Sequence, residues 1–138
     1  MANSLTIEKL MEGPKIVSYR IVGIMDTSNF SGSTIVNPAT LSSIEPAMPG
    51  GRIPNQVAVD RIQYSIEDGI NVELIWDATS PVVCEFLSGR GKMDFKGVGG
   101  LQNDAGAGKT GKLLLSTVGY TSGTVGFTLV LVVRKQVV

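Results

Sequence analysis

Apolar and polar residues alternate with a period of two along most of this chain, and the stretch where the alternation fails organises the rest. Between Thr124 and Arg134, Val125, Phe127, Leu129, Leu131 and Val133 share one face, while Val130 and Val132 make the opposite face apolar as well. A strand apolar on both faces is central to a sheet or lies under a partner. Lys112 to Lys135 therefore predicts two strands joined by a short turn at Thr121-Ser122-Gly123, the second of them deeply placed. Phe127, Leu129 and Leu131 are assigned to the domain's own core. Val130 and Val132 are assigned to a face covered by a loop or by another subunit.

The same period marks Ile16 to Met25 as the first clear strand, with Gly23 inside it marking a bulge or a close backbone approach. Val57 to Glu67 and Ile70 to Asp77 flank Asp68-Gly69, the dipeptide of a type I′ hairpin turn, so these two segments are expected to pair. In the first of them Ala58, Ile62, Tyr64 and Ile66 share a face that Asp60 interrupts. Val82 to Leu87 alternates again, with Val82, Cys84 and Phe86 on one side, and a modest strand follows at Lys92 to Lys96. Ser33 to Val36 predicts a short edge strand and Ala39 to Ile44 a helical turn. Prolines and the Gly50-Gly51 pair make residues 37–56 a long excursion of the sort that packs against another subunit or covers a sheet. Residues 1–15 mix helical and strand spacing and end at Gly13-Pro14; they read as a lead or arm on a single domain spanning 16–138. With about seven or eight strands and no helix long enough for a crossover, the fold class is all-β: an antiparallel sandwich, jelly-roll-like or immunoglobulin-like.

Composition narrows the chemistry. The 138 residues contain no histidine and one cysteine, Cys84. That leaves no Ser-His-acid triad, no thiolate cluster and no internal disulfide, and Cys84 reads as a buried small hydrophobe. Net charge is zero but unevenly spread: residues 1–87 carry ten acidic and five basic side chains, residues 88–138 two and seven. Such a dipole either stabilises the monomer or guides copies into a head-to-tail contact. The longest continuous apolar run, Leu129 to Val133, is far too short to span a membrane, and the N-terminus lacks the pattern of a cleaved signal peptide.

Candidate sites each meet a plainer reading. Ala107-Gly108-Lys109-Thr110 has the end of a phosphate-binding loop, but Asn103 stands where the first glycine belongs and a strand pattern follows where a helix is required, so a lysine-bearing surface loop is expected. Asp26, Asn29, Asn103 and Asp104 would hold a cation if they met at one end of the sandwich, although such residues more often cap turns. Glu67, Asp68, Glu73 and Asp77 form no calcium-loop spacing and no evident catalytic pair. Arg90, Lys92, Lys96, Lys109 and Lys112 cluster in sequence around a glycine-rich segment with only Phe95 among them, which suits a solvated or anion-facing surface better than a nucleic-acid stacking platform. Tyr64 and Trp76 are expected inside, packing the core. No catalytic, cofactor or metal-binding residue is assigned.

The layout as a whole, with the lead MANSLTIEKLMEG, the Pro/Gly-bearing excursion, the absence of histidine and the tail GTVGFTLVLVVRK, resembles the small β-rich virion structural proteins of tailed bacteriophages, in particular those that decorate or cement a capsid. The resemblance implies a non-catalytic homo-oligomeric subunit of a symmetric assembly, placed in the virion after synthesis in the host cytoplasm. It implies partners that are copies of itself and another virion protein such as the capsid protein, with no cofactor, no nucleic acid and no membrane. The lead, the excursion and an exposed strand edge would then supply contacts. The alternative is a carbohydrate- or receptor-binding sandwich whose end loops, including Asn103 and Asp104, form the site.

Overall fold

The computed structural model describes residues 3–41 and 53–136, so most of the 37–56 excursion lies outside the described residues. Among the described residues nine strands form in chain order: β1 (Ser4–Glu12), β2 (Ile16–Met25), β3 (Ser33–Val36), β4 (Gln56–Ile66), β5 (Asn71–Trp76), β6 (Val82–Leu87), β7 (Arg90–Asp94), β8 (Leu113–Val118) and β9 (Val125–Gln136). They build two antiparallel sheets, one ordered β1-β2-β9-β4-β7 and one ordered β3-β8-β5-β6. Below, these are sheets A and B. Their facing sides close an open sandwich over a single core.

The pairing is nested. β2 pairs with β9, β3 with β8, β4 with β7 and β5 with β6, and successive pairs fall alternately in sheet A and sheet B. The chain from β2 onward is thus a long folded-back ribbon rolled so that its rungs alternate between layers. One consequence corrects the strongest local expectation in the sequence. β4 and β5 do not pair across Asp68-Gly69: β4 lies between β9 and β7, whereas β5 lies between β8 and β6. Gly69 has φ +89°, but among the described residues none other than glycine has positive φ, so Asp68 cannot occupy a type I′ position. The segment is a corner carrying the chain from one sheet to the other. The turn at 121–123 is likewise a corner, because β8 belongs to sheet B and β9 to sheet A.

β9 is the centre of sheet A, between β2 and β4, one of the two placements that its apolar faces allow. Phe127, Leu129, Leu131 and Val133 are buried against sheet B, while Val130 and Val132 are half-buried on the outward side. Asp60 accounts for the interrupted face of β4. It is the extra residue of a bulge, since Val59 pairs with Val133 and Arg61 with Val132. The bulge lets Val57 and Val59, expected on the other side, join Ile62 and Ile66 in the core. Cys84 plays the same part in β6: Leu74 pairs with Glu85 and Ile75 with Val83, so Phe86 turns outward with Val83 instead of inward with Val82. The lead is an edge strand of sheet A, joined to β2 by a turn in which Gly13 N–H donates to the Ile16 carbonyl at 2.8 Å. Of the helical turn expected over Ala39 to Ile44, residues 42–44 lie outside the described residues; a 3₁₀ turn forms at Pro38–Thr40, capped by the Asn37 side chain.

Candidate interaction surfaces

The four residues proposed for a cation separate to opposite ends of the sandwich. Asn29 caps the end where β8 finishes, its Oδ1 accepting from Thr117 Oγ1 at 3.2 Å and from the Tyr120 N–H at 3.1 Å. Asn103 and Asp104 lie at the other end, on the loop that bridges Leu101 to Val59, and Asn103 Oδ1 accepts from the Ala105 N–H in a local turn. Among the described residues no three acidic or cysteine side chains gather as metal ligands. Lys109 and Thr110 sit in a loop clamped to the turn after β5. Thr110 Oγ1 donates to Asp77 Oδ2 at 2.8 Å, Thr79 N–H donates to the Ala107 carbonyl at 3.2 Å, and the chain runs on into β8 with no helix. A helix N-terminus facing a phosphate is therefore not formed there.

The basic cluster is divided. Arg90 and Lys92 project outward from β7 and Lys96 follows in a 3₁₀ turn, while Lys109 and Lys112 precede β8 of the other sheet. In exchange the fold brings Arg61 of β4 beside them, paired in register with Asp94 and two positions from Gln63, which faces Lys92. Trp76 is buried at the inner face, and Tyr64 packs over Gly91, where a Cβ would stand 2.8 Å from the tyrosine hydroxyl.

Two buried charges went unforeseen because their partners are distant in sequence. Lys135 has a fully buried side chain, and its Nζ meets Glu12 Oε2 at 2.8 Å, fastening the end of β1 to the inner face. Asp60, at the β4 bulge, faces the Arg134 guanidinium at 3.7 Å, and Gly100 approaches so closely that a Cβ there would contact both. The one available signal was an acidic residue on an otherwise apolar face of β4. Burial, and after it the Glu12 charge, pushes the Tyr19 hydroxyl up to about 12. Burial, then Glu85 and Asp104, pushes the Cys84 thiol up to about 12, so Cys84 is a poor nucleophile.

The outward faces of the sheets are the distinctive surfaces. Sheet B carries an apolar row, Val83–Ile75–Leu114, running directly across three strands; Phe86 lies in the next outward row opposite Glu73, and Val118 one row further on opposite Asn71. Val83 is 52% exposed and Phe86 49%. Sheet A carries half-buried Val22, Val130 and Val132 and exposed Ile24 on its outer side. Beside Ile24 an open hollow of about 340 Å³ lies over Gly126, rimmed by Ser65, Glu67 and Arg90. Such surfaces bind by contact area and charge. No protein-family model, no curated protein and no solved structure matches the chain.

Proposed function

We propose that this chain is a jelly-roll structural subunit of a larger symmetric assembly, of the kind that builds or decorates a bacteriophage virion, and that it has no catalytic role. The nested antiparallel pairs alternating between two sheets support a jelly-roll reading, an architecture shared by viral capsid proteins and lectins. Fold alone does not choose between those roles. The observation that carries the assembly reading is the apolar outer surface: Val83, Phe86 and Val118 stand exposed on one sheet and Ile24 on the other. Solvated sheet faces are normally polar, and clustered apolar exposure marks protein contact.

The glycan-binding alternative keeps Asp104 exposed on its end loop, while Asn103 is buried in a local turn. Cryo-electron microscopy of purified parent particles, with quantitative mass spectrometry, tests the proposal. The expected result is a fixed, symmetry-matched copy number with both sheet faces in contact. A protein absent from particles and monomeric at every concentration would remove this reading, and saturable binding on a glycan panel would replace it.

A further inference from the structure

Charge is sorted by sheet. The five strands of sheet A contain seven basic and four acidic residues; the four strands of sheet B contain two acidic residues, Glu73 and Glu85, and no basic one. On the outer side of sheet A, Arg20 is engaged by Glu8 at 2.6 Å, but Arg61, Arg90 and Lys92 make no ion pair among the described residues. Sheet B presents Glu73 in register with Phe86, one outward row from the Val83–Ile75–Leu114 row, with Asp77 and Lys112 facing each other beyond the strand ends.

The edges are poorer docking sites than the faces. Edge strands β1, β3 and β6 are bulged at Leu10, Ile35 and Cys84, and the fourth edge, β7, has five residues with Arg90, Lys92 and Asp94 projecting from it. Bulges, charge and shortness are the features that block strand addition.

Resting on the assembly reading above, we infer that the occupant of these faces is a second copy of this chain, with the outer face of sheet A of one copy stacked on the outer face of sheet B of the next. Two A faces brought together oppose unpaired cations, and two B faces oppose carboxylates, so charge disfavours both like-with-like contacts. The A-on-B contact sets Arg61 and Lys92 against Glu73 and lays one apolar strip on the other. Phe86, the largest apolar side chain exposed on sheet B, suits the hollow over Gly126. Each copy keeps one face of each kind free, so the contact is heterologous and propagates into a stack or closes into a ring. Four strands at about 4.8 Å spacing and six residues at about 3.4 Å rise give roughly 400 Å² of face in projection. That is smaller than the about 800 Å² per partner of a standard interface, so single contacts are weak and association depends on concentration.

Sedimentation velocity of the full chain between about 1 and 200 µM tests the contact. The expected result is a series of species beyond the dimer, weakened roughly tenfold or more as NaCl rises from about 50 to 500 mM. R61E/K92E damages the A face, and V83S/F86S damages the B face. Each variant alone stays monomeric with the near-ultraviolet dichroism of Trp76 unchanged, and an equimolar mixture forms a heterodimer that grows no further. A wild-type protein that remains monomeric across the range, or that stops at a closed dimer, overturns the stack, as does a variant that associates like the wild type. If the protein is monomeric alone yet present in particles, the stacking proposal falls and the structural-subunit reading stands.

Discussion

Gly23 shows how one residue can be fixed by a partner a hundred positions away. It pairs in register with Phe127, whose ring lies over it and meets Phe30 edge-on with centroids 6.1 Å apart. A Cβ at Gly23 would run into that ring, so the glycine is there for a close approach, with no bulge at that point in the β2–β9 ladder. Gly23→Ala is expected to destabilise the fold by about 1–3 kcal/mol in urea unfolding, the usual cost of overpacking a core. A second residue-scale consequence concerns pH. Cys84 and Tyr19 are held protonated in the folded protein, with their ordinary values of 9.0 and 10.0 both raised to about 12. The unfolded chain releases these protons first as pH rises. The stability they contribute is therefore complete below about pH 9 and is lost between pH 9 and 12. Melting temperatures measured across that interval should fall, and Cys84→Ala should remove the early part of the fall. At pH 8 a thiol reagent should label native Cys84 far more slowly than the unfolded chain.

At the scale of elements, strand positions were readable because burial on one face imposes a period of two. Ile16–Met25, Ser33–Val36 and Val82–Leu87 have the bounds that the alternation indicates, the later strands differ by a few residues at their ends, and β1 is a strand where the spacing was mixed between helix and strand. Register and bulges were less readable. A bulge inserts one residue and exchanges the faces beyond it, which is why Val57, Val59 and Phe86 lie on sides that simple alternation does not give them. The corner at Glu67-Asp68-Gly69 has a testable signature. In a type I′ hairpin Asp68→Asn would be stabilising; at this corner it should change stability by less than about 0.5 kcal/mol, the usual range for a surface substitution. Gly69→Ala should cost about 1 kcal/mol, because φ there is +89°. Equilibrium urea curves of the two variants distinguish the corner from a hairpin.

At the scale of the molecule, the nested connectivity sets both folding and surface. β2 and β9 cannot pair until the 99 residues between them have been brought round, so folding is dominated by distant contacts. Stopped-flow fluorescence of Trp76, the single tryptophan, should show refolding in milliseconds to seconds, the range of sandwiches rich in non-local pairing. Microsecond refolding would contradict this topology. The same connectivity converts an uneven distribution of charge along the chain into unlike sheet faces, because sheet A gathers β7 and β9 from the basic C-terminal part together with Arg61 and Arg20.

The sequence by itself determined that the chain is all-β, that β9 is either central to a sheet or covered by a partner, that Trp76 and the alternating residues of β5 face inward, and that these 138 residues hold no histidine. These follow from local periodicity and residue type, which each strand carries alone. Tertiary structure decided which strands pair, where Asp60 and Cys84 bulge, that Lys135 meets Glu12 and that Arg61 joins Lys92 on one outer face. Each of those depends on residues far apart in the chain. A two-residue Asp-Gly link is compatible both with a hairpin and with a corner between layers, and only the competition of β9, β7, β8 and β6 for the edges of β4 and β5 selects the corner.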